Sequence, residues 1–192
     1  MTFEQAYDQQ VCDLTLLNRE KAKVLFNFAS LVGGVVAELG VYKGGSALLL
    51  ARAKGVRLVH LYDTFEGVPE SEGGAGVPQK GDFASGIMPH LTKPPFVIFK
   101  GRVEETTKPF GVTMPEPIYD MVHIDCDIGS TCAYALEWFA NRHMTNTKVI
   151  VIDDYGFPHC PNVKPTVDLF VANNPEFKLA TFVDNQAVLF CR

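Results

Sequence analysis

Val35-Val36-Ala37-Glu38-Leu39-Gly40-Val41-Tyr42-Lys43-Gly44-Gly45-Ser46 is a short apolar run that breaks at glycine and leads into a helix-forming stretch, Gly45 to Arg52. An apolar run of this length, bounded by glycine, suits a central strand, Val35 to Val41. Glycine lets the backbone approach a ligand closely, and a helix start beyond it presents free N–H groups to an anionic group. The stretch therefore reads as one βα unit with a ligand-binding turn. Three ligand classes use such a turn. A dinucleotide turn carries GxGxxG, and Gly40-Val41-Tyr42-Lys43-Gly44-Gly45 lacks its second glycine. A phosphate loop carries GxxxxGK and then Ser or Thr, and lysine follows neither Gly44 nor Gly45.

What remains is an acid at the strand's end, Glu38, followed by Gly40, Gly44, Gly45 and Ser46. That set suits S-adenosylmethionine, which carries an ammonium, a carboxylate and a sulfonium but no phosphate. Glu38 is expected to face the cationic parts, and backbone amides with Ser46 to take the carboxylate. The loop alone leaves open a plain βα turn whose glycines only relieve packing. A second strand, Arg57 to Tyr62, ends at Asp63. A carboxylate roughly 20 residues past the glycine turn commonly holds ribose hydroxyls. Asp63 supports an adenosine-type ligand without choosing between cofactor and dinucleotide. Tyr42 in the loop and Arg102 after the third strand are counted with Glu38, Gly40, Gly44, Ser46 and Asp63 as expected cofactor contacts.

The β-then-α rhythm continues outward from there. Strands are expected at Phe96–Phe99, Tyr119–Ile124 and Lys148–Ile152, and helices at about 19–31 (capped by Asn18), 130–142 and 164–173. The end of the chain reads as a hairpin, Lys178–Val183 and Gln186–Cys191, around Asp184-Asn185. Alternation of this kind makes an α/β fold, a parallel sheet with helices on both faces. At 192 residues and 47% apolar content the chain makes a single domain, with an N-terminal helical segment over 1–34. Residues 66–95 are rich in glycine and proline, and a loop this long inside a compact domain is usually functional; a lid or substrate-binding insertion is expected.

Composition excludes several partner classes. The net charge is −5 and no block of Lys or Arg occurs, so no nucleic-acid partner is expected. No apolar run is long enough to cross a bilayer, and the polar, acidic start is unlike a signal peptide. Five cysteines without a CxxC pair read as reduced thiols of a cytoplasmic protein. A zinc site from Cys126, Cys132, His159 and Cys160 has poor spacing and is discounted.

The fourth strand ends His123-Ile124-Asp125-Cys126-Asp127, and the fifth ends Ile152-Asp153-Asp154-Tyr155. Ligands of an open parallel sheet gather at the carboxyl ends of its strands. Several carboxylates converging there repel one another unless a cation sits among them, and Mg²⁺, or Ca²⁺ in its place, resolves the conflict. Such an ion lowers the pKa of an acceptor hydroxyl and positions it for attack on the sulfonium methyl. The competing reading has these acids, Asp127 above all, capping the next helix or facing water.

Taken together, these blocks resemble the macrocin O-methyltransferase family of class I methyltransferases. The resemblance rests on the Glu38–Ser46 loop, on Leu61-Tyr62-Asp63-Thr64-Phe65-Glu66-Gly67-Val68-Pro69, on His123–Asp127 with Ser130-Thr131, and on Ile152–Tyr155. It implies a Rossmann-like, seven-stranded, mostly parallel sheet with a reversed C-terminal strand. It also implies metal-dependent methyl transfer to a hydroxyl of a sugar or natural product. By motif position the metal ligands are Asp125, Asp153 and Asp154, with Asp125 also touching the cofactor. Two departures stand out. Ile128-Gly129 replaces an aromatic residue common in the family, and it also stands where related catechol-type enzymes carry a lysine base. The base is then Asp127, His159, a group of the lid, or none beyond the metal; Lys164 and His90 are weaker candidates. Two other classes remain to be separated: a catalytically degenerate cofactor-binding partner subunit, and a nicotinamide-dependent oxidoreductase. The acceptor's identity has no motif, and a homo-oligomer is left open.

Overall fold

The computed structural model describes residues 1–74 and 76–191. Seven strands form one sheet ordered β3-β2-β1-β4-β5-β7-β6, where β1 is Gly34–Leu39, β2 Val56–Asp63, β3 Phe96–Lys100, β4 Tyr119–Ile124, β5 Met144–Ile152, β6 Phe177–Thr181 and β7 Ala187–Cys191. Strands β1 to β5 pair in parallel, and β7 runs antiparallel to both β5 and β6. The expected mostly parallel sheet with a reversed final strand is therefore present. Its central strands are apolar almost throughout because helices cover both faces.

Helix α3 (Arg19–Val32) starts where Asn18 accepts a hydrogen bond from the Lys21 amide at 2.9 Å. Its stripe Ala22, Leu25, Phe26, Ala29 follows the helical period and is buried on one face of the sheet beside α4 (Gly45–Arg52). Helix α6 (Gly129–Arg142) buries Cys132, Ala135, Leu136 and Phe139 on the other face, against α7 (Val163–Asn173). Alternation along β1 feeds both cores: Val36 joins the α3 side, and Ala37 and Leu39 the α6 side. Each layer depends on such anchors, and truncating Phe139 to alanine would cost about 3–5 kcal/mol.

Boundaries shifted where a local feature outweighed the apolar run. Strand β1 stops at Leu39 rather than Val41, because Gly40 turns with φ +80°. A Cβ there would lie 1.7 Å from the Asp125 carbonyl oxygen, so only glycine allows the ends of β1 and β4 to approach this closely. Short helices α1 (Phe3–Ala6), α2 (Gln9–Leu14) and α5 (Val103–Thr106), and a 3₁₀ turn at Pro89–Thr92, are too brief to show a helical period in sequence. Helices α1, α2 and α3 all lie within the expected N-terminal helical segment, 1–34.

The hairpin turn lies at Asp184-Asn185, whose positive φ angles of 44° and 63° are ones that Asp and Asn tolerate better than most residues. Asp184 accepts a hydrogen bond from the Asn18 side chain, so the reversed end of the chain holds the start of α3 in place. Among the described residues no helix is long and apolar enough to cross a membrane.

Candidate active site

Strands β1 and β4 are neighbours, but the chain leaves β1 toward β2 and returns on the other side. The crevice beyond their carboxyl ends is the topological switch point of the sheet. A cavity of about 370 Å³ occupies it. Its walls bring together Gly40, Tyr42 and Ser46 of the glycine loop with Asp63, Arg102 and the acids after β4 and β5.

The loop is held by Asp63. One carboxylate oxygen accepts from the amides of Val41 and Tyr42 at 2.6 and 3.1 Å, and the other accepts from Phe65 N at 2.6 Å. An ionised carboxylate offers about four lone-pair sites, so acceptor capacity remains beyond these bonds. Helix α4 follows from Gly44 with no side chain capping it, which leaves its first amides to other acceptors. Tyr42 takes a positive φ of 52°, and its carbonyl accepts from Ser85 Oγ at 2.7 Å.

Asp125, Asp153 and Asp154 each offer a carboxylate oxygen within 4.8 Å of the others. Hard oxygen donors at this separation fit Mg²⁺ or Ca²⁺. The cation bonded to the cluster is one that the sequence reading passed over: Lys21 of α3, whose Nζ lies 3.0 Å from Asp153 Oδ2, both side chains being largely buried. Against three carboxylates one ammonium leaves two formal charges, the number a divalent ion balances. Gln186 Oε1, buried beside Asp153, has no hydrogen-bond partner among the described residues.

The electrostatics follow this shortage of positive charge. Burial first, then Asp153 and Asp154, push the Asp125 carboxyl well above the usual range. Burial, with Asp153 and Asp127, raises Asp154 to about 7. Burial also raises Asp127 to about 6. Burial works against the Lys21 charge, but Asp153, Asp154 and Asp125 outweigh it and hold the ammonium above its ordinary range.

Asp127 does not cap α6. Its backbone takes a positive φ of 61°, its side chain accepts from Cys160 Sγ at 3.8 Å, and it lines the cavity. The α6 amides of Gly129 and Ser130 are instead capped by Glu72, at 2.9 and 3.3 Å. Glu72 belongs to the 66–95 segment, which folds over the sheet edge; its residue Ala75 lies outside the described residues. Phe83 of the same segment meets the Tyr42 ring edge-on, with ring centroids 6.4 Å apart. Arg102 lies near Glu70 and Glu104 at 3.5 and 3.6 Å, at the cavity's far wall.

Two expected contacts stand elsewhere. Glu38 is wholly buried and is not part of the cavity wall; it bonds His123 Nδ1 at 3.0 Å on the α3 side of the sheet. His159 lines a neighbouring cavity, where its Nδ1 donates to the Gly76 carbonyl at 2.6 Å. Gly44 shapes the loop from outside the wall, with φ +83°. Nor does the discounted thiol site assemble. Among the described residues the groups of three able to hold one ion are Asp125, Asp153, Asp154 and Asp127, Asp154, Cys160. The missed residue had a local signal: Lys21 lies four positions before Leu25, on the apolar stripe of a capped helix, where a lysine needs an anionic partner.

No family model and no curated protein matches the chain. Solved structures do. The O-methyltransferase NovP aligns over 93% of this chain and 82% of its own, with 21% identity and a TM-score of 0.72. The calicheamicin methyltransferase CalS11 aligns over 96% and 80%, with 20% identity and a TM-score of 0.70. An O-methyltransferase from Bacillus cereus, solved with S-adenosylhomocysteine, aligns over 99% and 90%, with 17% identity and a TM-score of 0.65. At these identities the likeness establishes a shared fold, the class I methyltransferase fold.

Proposed function

We infer that the chain transfers a methyl group from S-adenosylmethionine to a hydroxyl of a small sugar or natural-product acceptor, assisted by Mg²⁺, or Ca²⁺ in its place. One observation carries this reading: the carboxylates of Asp125, Asp153 and Asp154 share a cavity with the glycine loop and Asp63. Bound there, the ion would make the acceptor hydroxyl more acidic, and the cofactor would supply a methyl group already activated by its sulfonium.

The chain's own residues then bind and align. Ser46 and the uncapped amides of α4 suit the cofactor carboxylate, Asp63 the ribose hydroxyls, and Asp125 the cofactor's ammonium as well as the ion. Asp153 and Asp154 complete the ligand set, with Lys21 and Gln186 fixing Asp153 from behind. The acceptor oxygen takes the methyl carbon as the carbon–sulfur bond breaks, a thioether leaves, and the hydroxyl proton passes to a base. Asp127 is the base candidate that the geometry favours, because it lines this cavity and His159 does not. Alignment and deprotonation supply most of the acceleration such a displacement needs.

The alternative of a degenerate cofactor-binding partner predicts tight cofactor binding with no turnover on any acceptor. Calorimetry with S-adenosylmethionine is the direct test, and an absence of binding at millimolar cofactor sinks the reading. Turnover that survives a chelator unchanged removes the ion from it.

A further inference from the structure

Beside the cavity that holds the carboxylates lies a second, of about 450 Å³, between the 66–95 segment and the turn after β5. The two share three wall residues, Phe83, Asp127 and Phe157. The second is otherwise walled by Val77, Pro78 and Gln79 on one side and His159 and Cys160 on the other. The three shared residues form the boundary between the two, so a molecule held at Asp125 and Asp154 that extends over Phe83 and Phe157 meets the second cavity.

The charge around this space decides what that part is. Among the described residues lining either cavity, the basic side chains are Lys21, Arg102 and His159. Each is engaged: Lys21 with Asp153, Arg102 with Glu70 and Glu104, and His159 with the Gly76 carbonyl. The α6 N-terminus, another natural phosphate site, is taken by Glu72. Asp82, Asp127 and Asp154 face the space instead. Phosphate recognition needs arginine, lysine or free amides; the uncapped amides of α4 go to the cofactor carboxylate in the reading above, and the basic side chains already bond protein groups. Val68, Pro69, Phe83, Phe157, Val77 and Pro78 offer apolar and aromatic walls that suit a flat ring. A carbonyl only accepts, so His159 Nδ1 donates in that bond and Nε2 is the ring atom left for a polar group of a ligand.

Resting on the methyl-transfer reading above, we propose that the acceptor is a two-part, phosphate-free molecule. Its hydroxyl-bearing ring lies against Asp125 and Asp154, and a second ring passes Phe83 and Phe157 into the neighbouring cavity, where His159 takes a hydroxyl of that ring. CalS11, of similar fold, is a TDP-rhamnose 3'-O-methyltransferase; the acceptor of this chain differs from it in lacking the diphosphate.

Equilibrium binding to the full chain tests this, with saturating S-adenosylhomocysteine and Mg²⁺ and three probes: catechol, luteolin (a catechol joined to a second ring system) and TDP-rhamnose. Luteolin is expected to bind about tenfold or more tighter than catechol, and TDP-rhamnose not measurably. Gln79→Trp, an exposed substitution, and Val77→Trp each fill the second cavity and are expected to cut the luteolin-to-catechol ratio about fivefold or more. Equal binding of luteolin and catechol overturns the proposal, as does a ratio unmoved in both variants. Tightest binding by TDP-rhamnose, or no binding by either catechol compound, does so too. Cofactor binding and turnover are read separately. A chain that binds luteolin selectively but transfers no methyl group disproves the reaction and leaves the acceptor class standing.

Discussion

Two polar rows lie on the same face of the sheet, one pleat apart, and the chain treats them in opposite ways. In the deeper row Glu38 of β1 sits directly beside His123 of β4, and the two bond each other with no exposure to solvent. In the outer row Asp125 follows β4, Asp153 follows β5, and Gln186 precedes β7, with Lys21 reaching down from α3. In the deeper row the acid and the imidazole answer each other, and only Glu38 Oε2 and His123 Nε2 lack a hydrogen-bond partner among the described residues. The outer row holds more negative charge than its one ammonium can balance, and it does so in a cavity wall. An excess of like charge in a cavity wall, beside a buried acid that has an imidazole partner, is what the proposed ion and cofactor would answer.

Breaking the outer row should abolish function and spare the fold. Asp125→Asn is expected to lower methyl transfer on the order of 10²–10³-fold, while the ligand-free protein melts no lower than the parent because a like-charge neighbour has gone. Thermal melting alongside a turnover assay checks both halves, and a large drop in melting temperature would place Asp125 with the structural row. The deeper row should respond in reverse. Glu38→Ala leaves the buried His123 Nδ1 without its hydrogen-bond partner and is expected to cost about 1–3 kcal/mol in denaturant unfolding.

Proton uptake sharpens the same contrast. Asp154 and Asp127 are raised to about 7 and about 6, so the folded chain binds more protons than the unfolded one above the ordinary carboxylate range. Their stabilising contribution is full below about pH 4, where both states carry the protonated carboxyls, and is lost as pH rises from there through about 6 and about 7. Ligand-free stability should therefore fall over that window, and added Mg²⁺ should offset the fall near pH 7; a flat profile without Mg²⁺ would contradict it. The smallest effect belongs to the support of Lys21. Asn18→Ala removes the α3 cap and its tie to Asp184, at about 1 kcal/mol, and a weaker stabilisation by Mg²⁺ should accompany it in a thermal-shift assay.

Much of the fold was legible because its signals are local. The apolar run into Gly40, the stripe Ala22-Leu25-Phe26-Ala29 and the turn residues Asp184-Asn185 each act within a few positions. The acids of the outer row were legible for a related reason. They end strands, and strand ends of a parallel sheet gather at one edge whatever the strand order. Glu38 also ends a strand, but its setting depends on β4 lying beside β1, a crossover pairing that no local pattern encodes.

The glycine loop, the parallel sheet and the carboxylates at its edge were thus determined by the sequence alone, since local propensity and the period of the strands place them. Tertiary structure decided the rest. It set Lys21 against Asp153, 132 residues away along the chain, withdrew Glu38 from the cavity to His123, moved His159 next door, and put Phe83 and Phe157 in the walls of two neighbouring cavities. Each of these depends on which distant elements become neighbours. That choice is made by packing summed over the whole core, where no short stretch carries the information.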